Sequence, residues 1–183
     1  MSVNISDLPE SAQRQKEREN MGYILAVDPG NEESAWVLLG EDLAPIRFAK
    51  ENNKKAMESI SGIYLENVSD FVVYDPLTVV VEMVASYGMA VGKEVFETCV
   101  WIGRFIEQAE TYGYKAEKVY RKDVKLNLCG TTKAKDSNIR QALIDRFGIV
   151  GTKKSPGFFY GVSKDVWAAI AVAVTFADSQ KLR

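Results

Sequence analysis

"YILAVDPGNEESAWVLL", residues 23–39, holds an apolar run that ends in an acid, a proline and a glycine before a second apolar run begins. Tyr23 to Asp28 has the length and aliphatic character of a buried strand, and Pro29-Gly30 turns the backbone at once. The Asp28 carboxylate is thereby held at a sheet rim while the chain leaves it. Ala35 to Leu39 reads as a returning strand, and Ile46 to Ala49, after the turn-forming "GEDLAP" (40–45), as a third. An antiparallel meander is expected.

Beyond Asn53 the period changes. Met57, Ile60, Tyr64, Val68 and Phe71 recur every three to four residues, as on a helix packed against a sheet, and Asp75-Pro76 stops the run. "LTVVVEM" (77–83) is short, β-branched and continuously apolar until Glu82, the mark of a strand buried on both faces. The small-residue loop "ASYGMAVG" (85–92) leads to a helix from about Lys93 to Tyr112. Its apolar positions, Val95, Phe96, Cys99, Val100, Ile102, Phe105 and Ile106, form a stripe broader than one sheet needs.

"KAEKVY" (115–120) is a fifth strand, "RKDVKLNLCG" (121–130) a short helix, and "KAKDSNIRQALIDRFG" (133–148) a helix capped by Gly148. The loop "IVGTKKSPGFFYG" (149–161) precedes a last helix from about Lys164 to Ser179. Three antiparallel strands followed by strands alternating with helices predict an α/β fold, a mixed five-stranded sheet with helices on both faces. We expect one domain over residues 22–183 after a polar tail, residues 1–21, and find no internal repeat.

The composition, 46% hydrophobic and 26% charged, is that of a globular chain, which sets disordered and fibrous classes aside. No apolar run approaches the roughly eighteen residues of a membrane helix, and the first residues lack a signal-peptide core, so a cytoplasmic, membrane-free protein is expected. Two cysteines, Cys99 and Cys129, make no disulfide framework. The absence of histidine excludes the common zinc sites and Ser-His or Cys-His machinery. Catalysis would rest on carboxylates, lysines or a hard metal ion.

Charge is segregated. Residues 115–154 hold eleven lysines and arginines against four acids, a net +7, which leaves −9 for the rest of a chain whose total is −2. Lys125, Lys133, Lys135, Arg140, Lys153 and Lys154 lie in this segment, which forms either an anion-binding face, with DNA as the candidate ligand, or a solvated lysine-rich surface.

Three acids mark a candidate site. Asp28 ends the first strand, Glu82 the fourth, and Asp165 opens the last helix, where the helix dipole favours any acid. Singly, each also fits an ordinary turn, strand-end or helix-start acid. Jointly they can converge at one rim, where a divalent cation would relieve their repulsion. Oxygen donors without His or Cys point to Mg²⁺, with Mn²⁺ able to substitute. Two such ions about 4 Å apart can activate water and stabilise a leaving oxygen in phosphodiester hydrolysis.

"VDPG" with "SAWVLL", "VVVEMV", "VKLNLCGTTKAKDSNIRQAL" and "DVWAAIAVAV" together resemble RuvC-type Holliday-junction resolvases of the ribonuclease H-like superfamily, with phage-encoded members most similar. The resemblance spans about residues 22–178. It implies a metal-dependent crossover junction endodeoxyribonuclease, a homodimer on branched DNA in a bacterial or phage-infected cell. It also implies Asp28, Glu82 and Asp165 as catalytic metal ligands and Lys125, with Lys133 or Lys135, as DNA contacts. The family's second acid on the last helix is Ala168 here, which raises Asp136 as an additional ligand. The family's wedge phenylalanine is Ala85, with Tyr87 the nearest aromatic, and Phe158 and Phe159 serve either as core or as base-stacking residues.

Other readings remain open on sequence alone. Sugar kinases and actin-like ATPases share the "DPG" strand end but need two such subdomains. A catalytically silent DNA-binding module would not need all three acids. A related nuclease on flaps, hybrids or other branched DNA is the alternative that the sequence does not exclude.

Overall fold

A computed structural model of the chain describes residues 22–68, 74, 76–86, 88, 90–162 and 165–181, together with Pro9. Its strands are β1 (Tyr23–Asp28), β2 (Glu33–Leu39), β3 (Pro45–Asn52), β4 (Leu77–Met83) and β5 (Ala116–Tyr120). Its helices are α1 (Asn53–Val68), α2 (Lys93–Thr111), α3 (Arg121–Cys129), α4 (Asp136–Phe147) and α5 (Val166–Lys181). The expected tail, the continuation of the first helix to Phe71 and Tyr87 lie outside the described residues.

The strand order is β3-β2-β1-β4-β5. β1, β2 and β3 pair antiparallel, whereas β4 runs parallel to β1 and β5 parallel to β4. This is the predicted mixed sheet. Two elements extend beyond their sequence-based limits: β2 begins at Glu33, and β3 continues through Lys50 to Asn52 because its outer residues pair with Glu33 and Ser34. The last helix starts at Val166, with Asp165 as the preceding turn residue whose carbonyl accepts the Ala168 N–H at 3.0 Å.

Successive strand residues face opposite sides, so the sheet carries two cores. Leu25, Val27, Val79 and Val81 pack with Ile60, Ile63 and Tyr64 of α1 and Ile102 and Phe105 of α2. Ile24, Ala26, Val80 and Val119 pack on the other side with α5. That helix is buried along nearly its whole length, from Val166 to Ala177, between the sheet and α3 and α4, as its all-round apolar sequence requires. The aromatic loop belongs to this layer. Phe159 is fully buried 4.6 Å from the Trp167 ring, and Phe158 stacks on Phe147 at 5.2 Å, so both act as core residues.

The breadth of the α2 stripe resolves into two faces. Thr98, Ile102, Phe105 and Ala109 are buried, while Phe96 and Val100 are each 62% exposed beside the exposed Cys99.

Candidate active site

The turn after Asp28 is built from three polar partners. Gly30 N–H donates to Ser34 Oγ at 3.3 Å, Ser34 Oγ donates to Asn53 Oδ1 at 2.6 Å, and Asn53 Nδ2 donates to the Gly30 carbonyl at 2.9 Å. A Cβ at position 30 would stand 2.4 Å from the Glu33 carbonyl oxygen, which explains the glycine. The loop is thus locked beneath the strand end.

Register then gathers the acids. β1 and β4 pair Val27 with Val81, so Asp28 and Glu82 follow side by side at the carboxyl ends of adjacent parallel strands. Val27 and Val81 face α1 and α2, so by alternation Asp28 and Glu82 face the α5 side. The pairings Lys50 with Ala35, Ala35 with Asp28, and Glu82 with Val119 complete a row across the sheet: Lys50, Ala35, Asp28, Glu82, Val119. Alanine in the second place leaves room for Lys50 to cross β2.

The Asp28 and Glu82 carboxyls are close enough to share a hydrogen bond. Burial first, then the charge of Glu82, holds the Asp28 carboxyl well above the ordinary carboxylate range, against a lowering influence of Arg121. Glu82 is 7% exposed. Arg121, the first residue of α3, places Nη1 3.5 Å from Glu82 Oε1 and Nη2 2.5 Å from Asp136 Oδ1. Asp165 is engaged elsewhere: Lys50 Nζ lies 3.0 Å from its Oδ2 and 2.8 Å from Glu33 Oε2.

These groups surround an open cavity of about 380 Å³ whose lining includes Asp28, Arg121, Asp136, Arg140, Asp165 and Ala168. The sequence-predicted acids Asp28, Asp165 and Asp136 therefore meet at one cavity, with Glu82 beneath it. Asp136 serves as the partner of Arg121. Arg140 lies over the Trp167 ring, 5.1 Å from its centroid. A second cavity of about 380 Å³, lined by Arg121, Lys122, Lys125 and Thr132, adjoins through Arg121. Lys133 and Lys135 are exposed on the approach to α4, whereas Lys153 and Lys154 sit exposed at the tip of a turn closed by reciprocal hydrogen bonds of Thr152 and Ser155, farther along the chain.

Among the described residues, no group of three or more His, Cys, Asp or Glu side chains is placed so that it could hold a metal ion as it stands. The donor chemistry nevertheless suits a hard cation. Asp28, with the Glu82 carboxyl beside it in the sheet row, and Asp165 both present oxygens to the cavity.

Sequence reasoning missed two cations, Lys50 and Arg121. Lys50 lies one residue beyond the strand that the sequence predicts, Ile46 to Ala49, whereas β3 runs on to Asn52. Arg121 is the first residue beyond β5, two residues after Val119, the partner of Glu82 in the pairing of β5 with β4.

No family model and no curated protein matches this sequence. Among solved structures the chain is similar to the Thermus thermophilus RuvC structure, with a TM-score of 0.61 and 17% identity over 87% of this chain and 96% of that one. It is likewise similar to T. thermophilus RuvC in complex with Holliday junction substrate, with a TM-score of 0.59 and 16% identity over the same shares. At such identities the likeness establishes the fold: this chain has a RuvC-like, ribonuclease H-type sheet. No helix among the described residues is long and apolar enough to cross a membrane.

Proposed function

We propose that the chain is a structure-selective endonuclease that resolves four-way or otherwise branched DNA by metal-dependent phosphodiester hydrolysis. The observation that carries this reading is the placement of Asp28 and Glu82 side by side in one sheet row, at a cavity that shares Arg121 with a second cavity lined by Lys122 and Lys125.

Asp28, Glu82 and Asp165 would hold Mg²⁺ or Mn²⁺, with Lys50 a competitor for the Asp165 carboxylate. A bound divalent ion supplies an activated water and neutralises charge on the departing oxygen. The chain does the rest. Lys122 and Lys125 offer ammonium groups to the DNA backbone, and the deep seating of Glu82 fixes its carboxylate against the strand end. Lys133, Lys135, Arg140, Lys153 and Lys154 are the further DNA-contact candidates of the basic segment. With Ala168 in the cavity wall, three carboxylates would be the protein's share of the ligand set, the remainder falling to water.

The exposed Phe96 and Val100 on α2 favour a homodimer, in which two active sites address two strands of one junction.

A panel of labelled four-way, flap, hybrid and duplex substrates, incubated with Mg²⁺, Mn²⁺ or chelator, tests the reading. Paired nicks in the four-way substrate, absent with chelator, are expected. Preference for flaps or hybrids would redirect it to a related nuclease, and tight binding without cleavage in any metal would leave a silent junction-binding protein.

A further inference from the structure

Arg121 lines both cavities, the acidic one with Asp28 and Asp165 and the basic one with Lys122 and Lys125. Its location is unfavourable by local rules, because it occupies the first turn of α3, where the helix dipole disfavours a cation, and Lys122 follows it. A position that breaks a local rule calls for a compensating role. Glu82 and Asp136 offset the charge in the free protein, but the contacts differ. The Glu82 contact is a long 3.5 Å, and the Asp136 side chain is 82% exposed, so water competes for the shorter pair. A guanidinium presents a planar fork of donors matched to phosphate oxygens, and this one stands where a backbone running along the basic groove would enter the acid cavity.

On the nuclease reading above, we propose that Arg121 is a phosphate clamp latched by Asp136. When DNA occupies the groove, the guanidinium exchanges the Asp136 carboxylate for the phosphate nearest Asp28 and Glu82. Asp136 is then the latch, and its removal strengthens binding.

The test measures affinity of the full chain for a fluorescent four-way junction of synthetic oligonucleotides, with metal chelated, across a salt series. Arg121→Gln should weaken binding about tenfold, the size of a lost charged hydrogen-bonded contact, and reduce the salt slope by about one. Asp136→Asn, which leaves the clamp in place, should tighten binding several-fold. That gain should vanish in the Arg121→Gln background, since the two residues act through one contact. Wild-type affinity and slope in Arg121→Gln, or a gain from Asp136→Asn that persists in the double variant, would overturn the clamp and leave the nuclease reading standing. Wild-type protein that binds no branched DNA would overturn the nuclease reading, and the clamp with it. Circular dichroism of each variant separates these outcomes from misfolding, and should Arg121→Gln not fold, the uncharged Arg121→Met replaces it with the same expected loss of slope and affinity.

Discussion

Lys50 Nζ stands 3.0 Å from Asp165 Oδ2, two strands away from the Asp28 row position it shares. The third acid is therefore held by an ammonium on β3, while the first two hold one another.

That contact is weak enough to yield. Both side chains are substantially exposed, 37% and 52%, so water and salt screen the pair. Lys50→Met should leave the melting temperature nearly unchanged, because a screened surface pair contributes little to stability. Mn²⁺ binding, read by electron paramagnetic resonance, should tighten a few-fold as Asp165 loses its competitor. A variant with unchanged or weaker Mn²⁺ affinity would show that Lys50 does not compete for Asp165.

Asp28 sets a pH dependence of opposite sign to the usual carboxylate. Its folded carboxyl, raised by burial and by Glu82, binds a proton more tightly than the unfolded one, whose ordinary value is 3.8. Over the range above that value the unfolded chain binds fewer protons, so metal-free stability falls as pH rises. Asp28→Asn should therefore be more stable than wild type near pH 7 in chelator and lose this advantage toward pH 4. It should also lose cleavage while keeping junction affinity. Urea titrations at several pH values check the first point and a nicking assay the second; an Asp28→Asn protein that still nicks at wild-type rate places the chemistry elsewhere.

Asp178 behaves in the ordinary direction. Burial raises its carboxyl, but this is outweighed by hydrogen bonds donated by Arg146 at 2.6 and 2.7 Å and by Asn127 Nδ2 at 2.8 Å, so the net shift is downward. The contribution to stability is complete above the ordinary value of 3.8 and is lost as pH falls through the lower folded value. With Arg146 about a third exposed, Asp178→Asn should cost about 1 kcal/mol at neutral pH and leave nicking unchanged. Chemical unfolding at pH 7 and pH 3 measures it; an equal loss at both would rule out the ion pair as its source.

The exposed α2 face predicts an assembly. Light scattering should give about twice the 20.4 kDa chain mass, and Phe96→Glu with Val100→Glu should halve it without lowering the far-ultraviolet helix signal. A monomer at micromolar concentration, with or without junction DNA, contradicts the dimer.

Local chemistry made much of this legible before any coordinates. The "DPG" turn, the β-branched run to Glu82 and the helix caps at Gly130 and Gly148 are decided by residues adjacent in the chain, so strand ends, helix order and the sheet class follow from spacing and propensity. Asp28 and Glu82 were visible because each ends a strand. Lys50 and Arg121 were not, because nothing beside them in sequence distinguishes them from other surface cations. Their roles arise from register: the pairing of β3 with β2 and of β2 with β1 puts Lys50 in the Asp28 row, and the parallel pairing of β5 with β4 brings Arg121 to Glu82. Such pairings join residues tens of positions apart, and a slip of one residue would turn each side chain to the opposite core. The tertiary structure alone decided which cations meet the acids.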